Sequence, residues 1–345
     1  MACYLITGGA GFFGTILKQY FLDKGAECVS IDLEPDSFRH PHFTAYQGDI
    51  NDDKLMQKIF SKYQFDAIFH CAALLAHVKK DLKRLWHSNV DGTKNVYKYA
   101  LKYNINKIIF ISSNCLWAKN FDAPVKETEM PEPVEIYGKS KLEGEKILLS
   151  QPDKINSIIF RSPTIMDEGR LGLLGILFEF IDENRKLPMV GDGKNHYQFI
   201  YAKDLAKAFE LALTADYSEV FNIGSDNVKT FNEVYEYVIK KSGSKSRLLH
   251  FPSLPMIWAM KICFWLGISP LGPYQYKMIA SSFVFDTAKI KQKLGFKPTL
   301  TNEEMLLRAY EFYHKNKTEI LNRKNVSAHN SVAKMGVIKI LKWLM

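Results

Sequence analysis

Four glycines fall within the eight residues TGGAGFFG, Thr7 to Gly14, directly behind the apolar run Cys3-Tyr4-Leu5-Ile6. So much backbone freedom between a strand and a helix narrows the possible folds sharply. The stretch satisfies G-x-G-x-x-G through Gly9, Gly11 and Gly14, and G-x-x-G-x-x-G through Gly8, Gly11 and Gly14. Glycine permits the tight turn, lets a pyrophosphate approach the backbone, and lets helix and strand pack closely. The helix N-terminus then offers free N–H groups and the positive end of its dipole to the anion. No G-K-[ST] follows, which disfavours a triphosphate loop. Asp32, at the end of a second strand-like run, stands where a carboxylate accepts hydrogen bonds from a ribose 2′-hydroxyl and repels a 2′-phosphate. Together these residues predict a dinucleotide site, for NAD rather than NADP.

The rest of the first half agrees. CYLIT, CVSID, FTAYQ, DAIFH, KIIFIS and INSIIFR read as strands, and Gly11–Lys24, Asp53–Tyr63, Leu82–Tyr103 and Val134–Leu149 as helices. Strands alternating with helices imply right-handed crossovers and a parallel sheet covered on both faces, an α/β, Rossmann-like doubly wound fold. After Arg161 the rhythm breaks, and Gly and Pro punctuate RSPTIMDEGRLG and LPMVGDGKN. The expected organisation is an NAD-binding domain over 1–165, to which segments of 195–225 return, and a smaller, mostly helical substrate domain over 166–314. A basic connector and an amphipathic C-terminal helix follow over 315–345.

Composition removes several function classes. The formal charge is +9, but from Lys315 onward Lys315, Lys317, Arg323, Lys324, Lys334, Lys339 and Lys342 stand against Glu319 alone. A basic tail is not a basic groove, and with no nucleic-acid motif in the body no nucleic-acid partner is expected. Five scattered cysteines without a C-x-x-C pair argue against a disulfide framework and a zinc site, and fit a reducing cytoplasm. The nine histidines form no H-E-x-x-H pattern, so no metal is implied. No secretory signal is visible, and the longest apolar run, Met256 to Ile268, contains Lys261 and is too short to span a bilayer.

The chemistry points to YGKSK, where Tyr137 and Lys141 share one helix face. A phenol, with a pKa of about 10, is a poor base at neutral pH, and a neighbouring ammonium is expected to pull that value down. Ser112 and Ser113 close a strand at the carboxyl edge, where doubly wound sheets bind ligands. A hydroxyl there can hold a substrate oxygen while Tyr137 takes its proton.

From Cys3 to about His314 the chain resembles the extended short-chain dehydrogenases/reductases of the NAD-dependent epimerase/dehydratase superfamily. The resemblance rests on the loop, on Asp49 in GDI, on HCAA with Ala72 and Ala73, and on NVDGTKN with Asn89. It extends to FRSP with Pro163, VFNIG and FDTAKIKQKLGFKP. It implies Ser113, Tyr137 and Lys141 as catalytic residues. It implies cofactor contacts from Gly8, Gly11, Phe12, Phe13, Gly14, Asp32, Asp49, Ile50, Ala72, Ala73, Asn89, Ser112, Tyr137, Lys141 and Pro163. A homodimer through two long helices is typical of such proteins.

Departures from the family pattern narrow the activity. The dehydratase branch carries Asp and Glu after its catalytic Ser/Thr; Asn114 and Cys115 stand there instead, so a 4,6-dehydratase is not expected. Tyr197 occupies the position of the arginine that clamps a sugar nucleotide's diphosphate, and Lys277 that of a second one. Asn114, Tyr197 and Lys277 are the expected substrate contacts, with Arg170 and Arg247 as further cations. The expected activity is hydride transfer from a secondary alcohol of a nucleotide-linked sugar, by epimerisation or dehydrogenation. The alternatives are oxidation of a sterol or lipid alcohol, as in the similar 3β-hydroxysteroid dehydrogenase group, and a non-catalytic NAD-binding regulator. For the apolar segment LPMIWAMKICFWLGISPLGP a buried helix and a lipid-facing one are both open. The tail SVAKMGVIKILKWLM, 331–345, combines basic and apolar faces suited to a membrane surface or to docking on protein.

Overall fold

The computed structural model describes residues 1–75, 81–268 and 272–322. Six strands alternate with helices as the apolar runs predict: β1 (Cys3–Thr7), β2 (Glu27–Asp32), β3 (Phe43–Gln47), β4 (Ala67–His70), β5 (Lys107–Ser113) and β6 (Asn156–Ser162). Between them run α1 (Phe12–Leu22), α2 (Asp53–Lys62), α3 (Leu82–Trp86), α4 (Gly92–Lys102) and α5 (Ile136–Leu148). A π-helical turn, His87–Asp91, joins α3 to α4. The second half adds β7 (Thr164–Met166), α6 (Leu174–Asp182), β8 (Leu187–Val190), β9 (Phe199–Tyr201), α7 (Ala202–Ala212) and β10 (Glu219–Asn222). It ends with α8 (Phe231–Ser242), β11 (Leu248–Phe251), α9 (Ser253–Trp265), α10 (Pro273–Met278), α11 (Ala288–Leu294) and α12 (Asn302–Asn322).

Seven parallel strands form one sheet in the order β10-β6-β5-β4-β1-β2-β3. Successive side chains alternate between its faces. Tyr4 and Ile6 pack with Phe69, Ile111 and Phe160 against α1 and α7, whereas Cys3 and Leu5 pack with Ile68, Ile108 and Phe110 against α2 and α4. The near-continuous burial of β1, β4 and β5 follows from helices on both sides. Register fixes the functional edge: Thr7 lies beside Ile31 and His70, and Ser113 beside Ser162. β1, β2, β4 and β5 therefore end near one level, and the loops that follow them share one crevice.

A second core forms where α6, α8 and α12 bury Phe178, Phe180, Val234, Val238, Met305, Leu306, Tyr310 and Tyr313. One expectation is corrected here. Residues from Lys315 were expected to be a connector, but helix resumes past a kink at Asn316 and runs to Asn322, with His314 and Lys317 on either side of the kink both bonding Asp182 at the end of α6. For the apolar segment after Pro252, where a buried and a lipid-facing helix were both open, no residue of α9 is buried. The amphipathic helix expected over 331–345 lies outside the described residues. Among the described residues no helix is long and apolar enough to cross a membrane.

Candidate active site

The glycine loop packs so closely on the protein's own backbone that side chains have no room there. Gly8 takes φ +75°, and a Cβ on it would lie 2.7 Å from the backbone nitrogen of Ala72. A Cβ on Gly14 would lie 2.1 Å from the Gly8 carbonyl oxygen. Gly11 caps α1 without a side-chain bond, which leaves the first N–H groups of the helix facing the crevice. The Phe13 ring turns into the core against Phe209, and Arg170 lies over the Phe12 ring at 5.6 Å. Asp32 accepts hydrogen bonds from the backbone N–H groups of Ala10, at 2.9 Å, and Glu34, at 3.0 Å. Burial raises its pKa against those two bonds. Asp32 thus shapes the loop as well as standing at the expected ribose position.

Lys18 was not foreseen. Its buried Nζ bonds the Gly9 carbonyl at 3.2 Å and pairs with Asp36 at 2.5 Å, between the Phe38 and Phe43 rings. It fastens the glycine loop to the segment after β2. A lysine inside an otherwise apolar helix face was the one available signal.

At the expected adenine side, Asp49 accepts from the backbone and side chain of Asn51, at 2.9 and 3.1 Å, and Ile50 is buried. The HCAA segment is pinned by its histidine. Thr93 donates its hydroxyl to the Asn89 carbonyl, so it accepts from His70 Nε2–H at 2.8 Å. Nδ1 then accepts from Thr7, whose Oγ1 also receives the Ala72 N–H. Burial, with Lys141 nearby, lowers the His70 pKa to about 3, and the ring is neutral and structural. Ala73 follows Ala72 along the crevice and is half-buried. Asn89 uses its amide on the backbone of Leu74, at 2.7 and 3.0 Å, and on Ser140, at 3.0 Å. Its side chain ties the segment after β4 to α5.

The two serines separate because neighbouring strand residues face opposite ways. Ser112 was expected at the cofactor; its hydroxyl instead bonds Glu145 at 2.5 Å, inside a buried pair in which Arg161 grips that carboxylate at 2.8 to 3.3 Å. Only its backbone is left to a ligand. Ser113 accepts the Cys115 N–H at 3.1 Å, donates to the Asn114 side-chain oxygen at 3.5 Å, and favours ionisation of the neighbouring Tyr137 phenol. Pro163, buried behind β6, leads the chain out of the sheet.

Lys141 approaches Tyr137 but does not act on it as expected. Its Nζ donates to the Ile111 carbonyl at 2.8 Å and lies 6.0 Å from the centroid of the Tyr137 ring. Burial raises the phenol's pKa, Cys115 adds to this, and Ser113 and Arg170 are the groups that oppose it. Burial also lowers the Lys141 amine to about 8.

Among the expected substrate contacts, Asn114 donates to the Tyr197 hydroxyl at 2.8 Å, and that oxygen lies 3.4 Å from the hydroxyl of Tyr274 in α10. Tyr274 went unnoticed because nothing local marks it. Lys277, the expected diphosphate contact, is exposed near Glu135, and Arg247 is exposed as well. The cation that faces both Tyr137 and Tyr197 is Arg170; burial lowers it to about 10, so it stays charged at neutral pH. Among the described residues no cluster of acidic, histidine and cysteine side chains could hold a metal.

Known proteins resemble the chain throughout. It is 32% identical over 344 residues to the uncharacterized protein y4nG of Sinorhizobium fredii, covering 99% of this chain and 86% of that protein. It is 25% identical to a UDP-glucose 4-epimerase of Lacticaseibacillus casei, covering 93% and 99% of the two. The crystal structure of a Thermotoga maritima UDP-glucose 4-epimerase with UDP-glucose superposes with a TM-score of 0.75 at 24% identity, covering 91% of this chain and 99% of that one. That of Bordetella bronchiseptica WbmG with NAD has the same score at 20% identity, covering 91% and 94%. The model of the NAD dependent epimerase/dehydratase family matches residues 4–224. With the glycine cradle, Asp32 and the Ser113–Tyr137–Lys141 grouping in place, the chain belongs to that family of NAD-dependent enzymes.

Proposed function

We propose that this enzyme transfers hydride from a secondary alcohol of a nucleotide-linked sugar, as an epimerase or dehydrogenase and not as a 4,6-dehydratase. The observation that carries the reading is Ser113 at the carboxyl end of β5 acting on the Tyr137 phenol, with Lys141 one helical turn on from Tyr137. NAD, when bound, supplies the hydride acceptor; Gly8, Gly11 and Gly14 with the start of α1 would hold its diphosphate, and Asp32 its ribose. Ser113 orients the sugar hydroxyl. Tyr137 takes the hydroxyl proton at its phenolate oxygen as the C–H bond gives up its electron pair, leaving a ketone. Ser113 and Arg170 are the neighbours that ease ionisation of Tyr137, and Lys141 would hold the ribose when NAD is bound. A ketone that turns over in the site and regains hydride on its other face gives epimerisation.

Elimination of water lacks its groups. Asn114 is spent on Tyr197, and burial pushes the Cys115 thiol up to about 11, so neither serves as an acid–base pair at neutral pH. Arg170 is the cation placed to meet the substrate's phosphates, in place of the arginine that Tyr197 replaces. Oxidation of a lipid alcohol would use the same three residues, and exposed α9 is the observation in its favour. The test is Tyr137→Phe with a panel of nucleotide sugars. Turnover is expected to fall at least ~100-fold while NAD affinity stays within about twofold. Undiminished turnover, or no NAD binding by the parent protein, overturns the reading.

A further inference from the structure

The helix α9 has two apolar faces, and the protein covers only one. Met256, Ile257, Met260, Cys263 and Phe264 recur at helical spacing and are half-buried, with Phe264 meeting the Tyr276 ring of α10 at 6.3 Å. On the other side Leu254 is 73% exposed, Trp258 63% and Trp265 78%, with Ile262 and Leu266 beside them. A water-facing helix side is ordinarily polar. Here its charged member is Lys261, whose ammonium lies 4.9 Å above the Trp258 ring.

We infer that this face seats the enzyme on a bilayer surface carrying anionic lipid, with Trp258, Ile262 and Trp265 entering the boundary between headgroups and acyl chains. Charge selects this occupant. From residue 237 to residue 285 the sequence holds Lys240, Lys241, Lys245, Arg247, Lys261 and Lys277 and no Asp or Glu. A second copy placed symmetrically on α9 would set Lys261 against its own counterpart. Tryptophan with an adjacent ammonium suits the headgroup level, where the ring is half in hydrocarbon and the cation meets lipid phosphate. The thirteen residues of α9 give a length of about 20 Å, short of the ~30 Å hydrocarbon core, so the helix lies in the plane of the surface. The same α10 that braces α9 carries Tyr274 into the substrate side of the site, so the docking face adjoins that end of the crevice.

The test is sedimentation of the full chain with phosphatidylcholine vesicles, with and without phosphatidylglycerol, beside Trp258→Glu/Trp265→Glu and Lys261→Glu. The parent protein is expected in the pellet with phosphatidylglycerol and largely in the supernatant without it. The double variant is expected to lose at least ~10-fold in vesicle affinity, and Lys261→Glu to lose binding to anionic vesicles in particular. Thermal stabilisation by NAD is expected unchanged in both, which separates this result from misfolding and from failure of the hydride-transfer reading. Binding retained by the double variant, or a parent protein that stays in the supernatant, overturns the inference. A lipid-free dimer dissolved by the same substitutions would assign the face to a second copy and overturn it as well.

Discussion

Lys141 is buried against the Phe110 ring, with its ammonium on a backbone carbonyl and its pKa lowered to about 8. In the unfolded chain the amine keeps its proton to about pH 10.4. Below about pH 8 it is charged in both states, so the folded protein carries the full cost of burying it. Between about 8 and 10 the unfolded state binds more protons, and this contribution to stability rises with pH. Lys141→Met is therefore expected to be the more stable protein at pH 7, by up to about 3 kcal/mol, with the gap closing by about pH 10. Urea unfolding of both proteins across that range checks it. Turnover of the variant is expected to fall at least ~100-fold, so stability and activity move in opposite directions. Residue by residue, candidates can be read from the sequence where the pattern is local: the glycines, Asp32, and the spacing of Tyr137 and Lys141. Strand alternation turns the Ser112 hydroxyl away from that of Ser113 and onto Glu145, a partner 33 residues on that no local pattern names. Tyr274 and Lys18 act through partners distant in sequence or on other elements, which no local pattern encodes.

At the scale of elements, α5 carries Tyr137 and Lys141, and its hold on the sheet is polar. Glu145 bonds Arg161 of β6 and Ser112 of β5, and Arg161 also donates to the Glu127 carbonyl at 3.0 Å and lies against Trp117. Removing one charge from such a buried pair leaves the other uncompensated. Glu145→Gln is expected to cost about 3 kcal/mol and to lower Tm by roughly 4 °C, read by calorimetry. Parent-like stability would mean that Ser112 and the backbone alone satisfy the arginine. The helices and strands themselves were easier to read than their connections. Apolar periodicity marked α1, α2 and α5 to within about two residues, but the same measure left α9 undecided, since its apolar residues run all round and do not say which side meets protein.

For the whole molecule, the decisive feature is that the sheet is finished from the second half of the chain. β10 pairs with β6 from Glu219–Ile158 to Asn222–Arg161, and α7 sets Phe209 against Phe13, Phe69 and Phe160. The doubly wound pattern was legible in the alternation of the first six strands, whereas a seventh strand of four residues, Glu219–Asn222, carries too short a signal to place. A fragment of residues 1–165 lacks both the covering helix and the edge strand. It is expected to express as aggregate, while 1–322 stays in solution and binds NAD, as gel filtration would report. During synthesis, Ser162 leaves the ribosome about sixty residues ahead of the strand that will shield it, which at ordinary elongation rates is several seconds. For that interval a nascent chain displays a bare β6 edge and a naked aromatic cluster, so the enzyme's yield in a cell depends on whatever shelters unfinished polypeptides there.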